Sequence, residues 1–132
     1  MNESNVLHIL LRPVIENQEY ILVAMLLIVL DVVVGFSNAV AHSEVSSSKM
    51  RDGLWHKLGS MFLMVAAGLI DGALLGGIDL GFKSPVMTAV CLYISIMELI
   101  SVLENISKLN PELANNPLVS RLTTREEKED GE

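Results

Sequence analysis

The chain has 132 residues and a net charge of −7, and 51% of its residues are hydrophobic while only 5% are aromatic. One domain is the ceiling for that length, and a soluble fold this small could not bury so much aliphatic surface. The acidic balance argues against a nucleic-acid partner, and the one cysteine, Cys91, has no partner for an intramolecular disulfide or a zinc site.

Residues 1–19 are mixed. Val6, Leu7, Ile9, Leu10, Val14 and Ile15 can form one apolar face, but Arg12 and Pro13 interrupt it. The reading is a short interfacial helix or loop, too short to span. Tyr20 to about Val40 is the first span, uncharged from Ile21 to Leu30 and then carrying Asp31. About 20 residues at 1.5 Å each cross a hydrocarbon core of about 30 Å. Ala39-Val40-Ala41 has the look of a signal-peptidase site, but the segment before the span holds Glu3, Glu16 and Glu19 against one Arg12. A signal peptide needs a basic start, so this span is expected to be retained.

A polar loop is expected over 41–57, with structure broken at Ser46-Ser47-Ser48 and positive charge on Lys49, Arg51 and Lys57. Trp55 beside His56 and Lys57 reads as a membrane-interface anchor. Leu58 to about Leu80 is the second span, with Asp71 near its middle. Asp79, Gly81, Lys83 and Pro85 suggest a tight turn, Pro85 suiting the first turn of a new helix. Val86 to about Leu103 is the third span, with Glu98 inside it and Glu104 at its edge. From Ser107 the chain is polar. Pro111, Asn115, Asn116 and Pro117 break helices, and the charged run from Thr123 reads as a solvated, disordered tail.

These elements predict an all-α integral membrane protein of about three transmembrane helices. It divides into an N-terminal interfacial segment (1–19), a three-helix membrane domain (20–106) and a cytoplasmic polar tail (107–132). With three spans, one side carries Lys49, Arg51, Lys57, Lys108, Arg121, Arg125 and Lys128, and the other only Arg12 and Lys83. The excess of positive charge places the C-terminus in the cytoplasm and the N-terminus outside.

Each span carries one acid, Asp31, Asp71 or Glu98, and no Lys or Arg lies within a span to pair with it. An ionised acid at a helix centre costs roughly 2.5–3.5 kcal/mol on insertion scales. The acids are therefore expected to face a bundle interior, a subunit interface or water. Gly68, Gly72 and Gly76 recur every four residues, a small-residue ridge that lets helix backbones approach closely in lipid. Ser84, Thr88, Cys91, Ser95, Glu98, Val102 and Asn105 form a mostly polar stripe on the third span. Asp31, Gly35, Asn38 and His42 form another on the first. Such stripes either pack helices together or line a wet lumen in an oligomer. No phosphate loop, metal-spaced His/Cys set or nucleophile motif appears, so no catalytic, cofactor or metal site is expected.

The run Leu30-Asp31-x-x-x-Gly35, then Ala39, then a Ser/Lys-rich loop with Lys49, Gly53 and Lys57, resembles the phage and toxin-secretion holins of Gram-positive bacteria and their phages. Asp71 is similar to the later acid of that family's second span. The stretch Met97 to Asn105 resembles the family's E-x-x-S-x-L-E-N motif through Glu98, Ser101, Leu103, Glu104 and Asn105. Lys108-Leu109-Asn110-Pro111 departs from the Gly and I-P-type turn usual after it, and the tail beyond Arg121 is acidic rather than basic.

The resemblance implies a protein that accumulates in the bacterial cytoplasmic membrane and assembles with its own copies into lesions. A cell-wall hydrolase (an endolysin) or a leaderless toxin then escapes without binding it stably. Gly35, Gly68, Gly72 and Gly76 are the candidate helix-packing or oligomer interface. Asp31, Asp71, Ser95, Glu98, Ser101, Glu104 and Asn105 are the candidate intramembrane polar or lumen-facing residues. Two other readings stand beside this one: a small ion or proton channel or transporter subunit using the intramembrane acids as a relay, and a membrane anchor whose acids only lock helices.

Overall fold

A computed structural model describes residues 3–77 and 85–123. The turn expected over 79–85 therefore lies almost wholly outside the described residues, as does the charged run beyond its first residue, Thr123. Among the described residues six helices follow one another: α1 (Glu3–Glu16), α2 (Gln18–Ala41), α3 (Ser47–Gly77), α4 (Val86–Leu109), α5 (Pro111–Ala114) and α6 (Pro117–Thr123). Three of them, α2, α3 and α4, are long and apolar enough to cross a membrane.

Contacts along the helices give their directions. Asn17 meets Thr88 and Asp31 meets Asn105, so α2 and α4 run parallel. Lys57 reaches Glu98 while Asp71 reaches Met87, so α3 runs against both. The core between them is Ala24 and Ile28 from α2, Met64 and Ala67 from α3, and Met87, Cys91 and Ile94 from α4. Small residues at Ala24, Ala67 and Cys91 let the backbones approach, as membrane helices require when no hydrophobic effect separates protein from lipid. The outer surface is the reverse of a soluble protein's. Leu22, Leu26, Val33, Phe62, Val65, Tyr93 and Ile96 are all exposed, while three acids are buried. That distribution fits a lipid solvent.

Two boundaries differ from the expected ones. The polar loop shrinks to residues 42–46, because α3 begins at Ser47 and adds about three turns before the apolar run. Lys49, Met50, Arg51, Leu54 and Lys57 are good helix formers, and the serines sit at the start, where a helix tolerates them best. At 31 residues α3 measures about 46 Å, longer than the hydrocarbon core. The α2–α3 turn closes as a Schellman motif. Glu44 N–H donates to Ala39 O and Ser43 N–H to Val40 O, with Ser43 in the left-handed region at φ 55°.

The second difference concerns the N-terminal segment. It is helical, and it lies along the C-terminal half of α3 rather than apart from the bundle. Pro13 sits inside α1 and has no N–H for the Ile9 carbonyl. That carbonyl faces the Gly72 position instead. Asn17 closes the break between α1 and α2: its backbone N–H and its side-chain Nδ2 both donate to Pro13 O. Beyond α4, Asn110 accepts from Glu112 N–H and caps α5, with Pro111 in its first turn.

Candidate functional site

On α4, Glu98, Val102 and Asn105 fall at four- and three-residue spacing, so one face of the helix carries all three. On α2, Asp31 and Gly35 are one turn apart and face it. The antiparallel α3 brings Lys57 between them. Lys57 Nζ lies 2.8 Å from Asp31 Oδ2 and donates a further hydrogen bond to Glu98 Oε2. Asn105 Nδ2 donates to the other Asp31 oxygen at 3.1 Å. The three charged side chains are 15% (Lys57), 9% (Asp31) and 7% (Glu98) exposed, so water screens the cluster weakly.

Gly35 is fitted to this arrangement. A Cβ there would lie 3.4 Å from Asn105 Nδ2, already in contact, so a side chain longer than alanine's would press on the amide. The two stretches that carried the family resemblance, one on α2 and one on α4, thus meet in a single polar cluster.

No Lys or Arg lies within the expected spans, yet Lys57, one residue before the second of them, pairs with two of the span acids. Lys57 stands at the edge of the apolar run, where hydropathy counts it as loop. The helix continues through it, and its four-carbon stem carries the charge inward. A long basic side chain immediately before an apolar span, with acids in the neighbouring spans, was the available signal.

Asp71 does something else. Its Oδ2 accepts from Met87 N–H at 2.8 Å, one of the amides at the start of α4 that have no partner within their own helix. A carboxylate there also meets the positive end of the helix dipole. Asp71 is thus a cap supplied by a neighbouring helix. Its second oxygen, Oδ1, is buried with no hydrogen-bond partner among the described residues. Asp71→Ala is expected to destabilise the start of α4 by ~1 kcal/mol, with Asp71→Asn largely preserving it. Hydrogen exchange at the amides of residues 86–89 measures this; equal protection in the alanine variant would refute the cap.

The remaining candidates are placed as follows. Ser95 donates to Cys91 O, one turn back on its own helix. Ser101 and Glu104 are half-buried on α4 beside the cluster residues. The glycine ridge of α3 faces α1. A Cβ at Gly68 would touch Val14 and Met87, one at Gly72 would lie 3.1 Å from Leu10 Cα, and one at Gly76 would touch Ile9. Thr88 of the α4 stripe donates to Asn17 Oδ1, tying the α1–α2 junction to α4; Ser84 of that stripe lies outside the described residues.

No curated protein and no solved structure matches the chain. A family model does: that of the bacteriophage holin family, over residues 14–122. The match takes in all three membrane helices, the Asp31–Lys57–Glu98 cluster and the glycine ridge, and it covers most of the sequence. The chain belongs to the bacteriophage holin family.

Proposed function

We propose that this multi-pass membrane protein assembles with its own copies in the bacterial cytoplasmic membrane into lesions that release a cell-wall hydrolase or a leaderless toxin. One observation carries the step from family to mechanism. Within one chain α2 and α3 both pack on α4, with the buried acids turned inward and bonded to Lys57, Asn105 and Met87 N–H. A single copy therefore gives a protein-sized solute no path, and passage needs several copies arranged around a common opening. The bacteriophage holin family is not an enzyme family, and no bond-breaking step is invoked.

The relay reading finds little support. Asp31 and Glu98 share Lys57, while Asp71 lies apart, on the amide that opens α4. A proton wire needs its acids within reach of one another or of bridging water.

Induced expression in bacteria, with and without a co-expressed cytosolic cell-wall hydrolase, tests the proposal. Abrupt lysis is expected only with the hydrolase, after a delay in which the protein accumulates in the membrane. Accumulation with ion leakage but no hydrolase release would favour a small channel instead. Release of nothing would favour an anchor.

The cytoplasmic C-terminus belongs to the same proposal. It rests on the excess of Lys and Arg on the side of the α2–α3 loop and the chain's end. A C-terminal alkaline phosphatase fusion, active only outside the cytoplasm, is expected to be silent, and activity there would reverse the topology.

A further inference from the structure

The bundle is open on one side at the end that holds the α2–α3 turn. There α2 and α3 touch little, whereas α2 packs closely on α4. The gap is a crevice of about 580 Å3, with the Asp31–Lys57 pair among the residues lining it. Its walls are apolar, with Val32 and Phe36 on α2 facing Met50 and Leu54 on α3. Its other basic groups, Lys49, His42 and Lys108, come from the helix ends. One end is thus apolar, and the other, at the helix ends, is cationic.

Three features say what such a crevice holds. Lys57 is engaged by two carboxylates, but Lys49 and Lys108 are exposed and in no ion pair among the described residues. The N-terminus of α3, a helix of 31 residues, brings its positive pole to the same rim, and Glu44, also on the lining, opposes them there. Asn38 is on the lining, and its Oδ1 is buried without a hydrogen-bond partner among the described residues. Phosphate satisfies the lysines. A hydroxyl on the headgroup can meet the Asn38 amide once that side chain turns into the crevice, which a trimethylammonium cannot do. Acyl chains satisfy the walls.

We propose that the crevice between α2 and α3 binds one anionic glycerophospholipid with a hydroxyl-bearing headgroup, its phosphate at the Lys49–Lys108 rim and an acyl chain between Phe36 and Leu54. The inference goes beyond lesion formation and does not depend on it, nor on which membrane face the rim occupies.

Native mass spectrometry of the full-length protein in neutral detergent tests this. Phosphatidylglycerol, phosphatidylcholine or soluble glycerol phosphate is added. Phosphatidylglycerol is expected to give a one-to-one adduct and phosphatidylcholine a much weaker one. Removing Lys49 and Lys108 by alanine should weaken the phosphatidylglycerol adduct by about fivefold for each lysine. The Arg51→Ala/Arg121→Ala double variant loses the same charge outside the crevice and should keep the adduct. Gly53→Phe places a ring in the crevice from a position where a Cβ meets nothing within 4 Å, so α3 should fold and the adduct should vanish. Equal binding of the two lipids, or equal loss in both double variants, would reduce the site to general attraction between lysines and lipid. Equal competition by glycerol phosphate would make it a free-phosphate site, and survival of the adduct in Gly53→Phe would place the lipid elsewhere. Any of these overturns the proposal.

Discussion

Lys57→Met is expected to be the most damaging single substitution in the chain, destabilising the folded bundle by ~3–5 kcal/mol, the usual cost of removing one partner from a buried ion pair. Methionine fills the same volume but leaves Asp31 and Glu98 facing each other without the cation that both contact. The low exposure of all three side chains means that water restores little of the loss. Charge counting then orders the milder variants. With all three groups ionised the cluster sums to −1, so Glu98→Gln or Asp31→Asn leaves one acid against one lysine, a neutral pair. Each is expected to cost far less than Lys57→Met.

The triple variant Lys57→Met/Asp31→Asn/Glu98→Gln removes every charge and should recover most of the stability, because a buried ionic network replaced by neutral groups of similar shape is often close to neutral. Thermal unfolding in detergent, followed by helical signal, compares all four variants with the wild type. The decisive comparison is Lys57→Met with the triple variant. If Lys57→Met unfolds at the wild-type temperature, the lysine turns out to water and the cluster contributes nothing. If the triple variant is no better than the single one, the loss is one of packing rather than of charge.

Gly72→Leu should detach α1 from the bundle. A Cβ at this position would lie 3.1 Å from Leu10 Cα and 3.4 Å from Ile9 O, both backbone atoms of α1. Backbone cannot rotate away as a side-chain tip can, so three further carbons must push the helix off. Overpacking of a filled site costs about 1–3 kcal/mol, and α1, a short helix held to α3 along one face, is the element able to yield. Gly59→Leu is the matched control, since a Cβ there meets nothing within 4 Å.

The measurement is a crosslink between cysteines placed at Ile9 and Gly76, positions in contact in the bundle, with Cys91→Ser as background. The crosslink is expected to form in the Gly59→Leu protein and to be lost in the Gly72→Leu protein. Equal crosslinking in both would show that α1 does not rest on the ridge. The outcome also bears on oligomerisation. In the single chain the glycine ridge is already occupied, so a second copy reaches it only where α1 is absent.

The number of spans, their approximate limits and their apolar exteriors were legible in the residues alone, because hydropathy over some 20 residues is a local property and the bilayer responds to it directly. The need of Asp31, Asp71 and Glu98 for partners was legible for the same reason: hydrocarbon supplies none, whatever the fold. The identity of those partners was not. Lys57 belongs, by sequence, to a polar stretch 26 residues after Asp31 and 41 before Glu98. Only the antiparallel course of α3 and the reach of the lysine stem bring it to both. Asp71 resembles the other two acids in sequence, yet its partner is a backbone amide freed by the start of another helix. The ridge of Gly68, Gly72 and Gly76 announced a close helix contact, but not that α1 would supply it. Helical periodicity says which residues share a face; which face meets which depends on the rotation and depth of each helix against its neighbours, and those are settled by packing over the whole bundle at once.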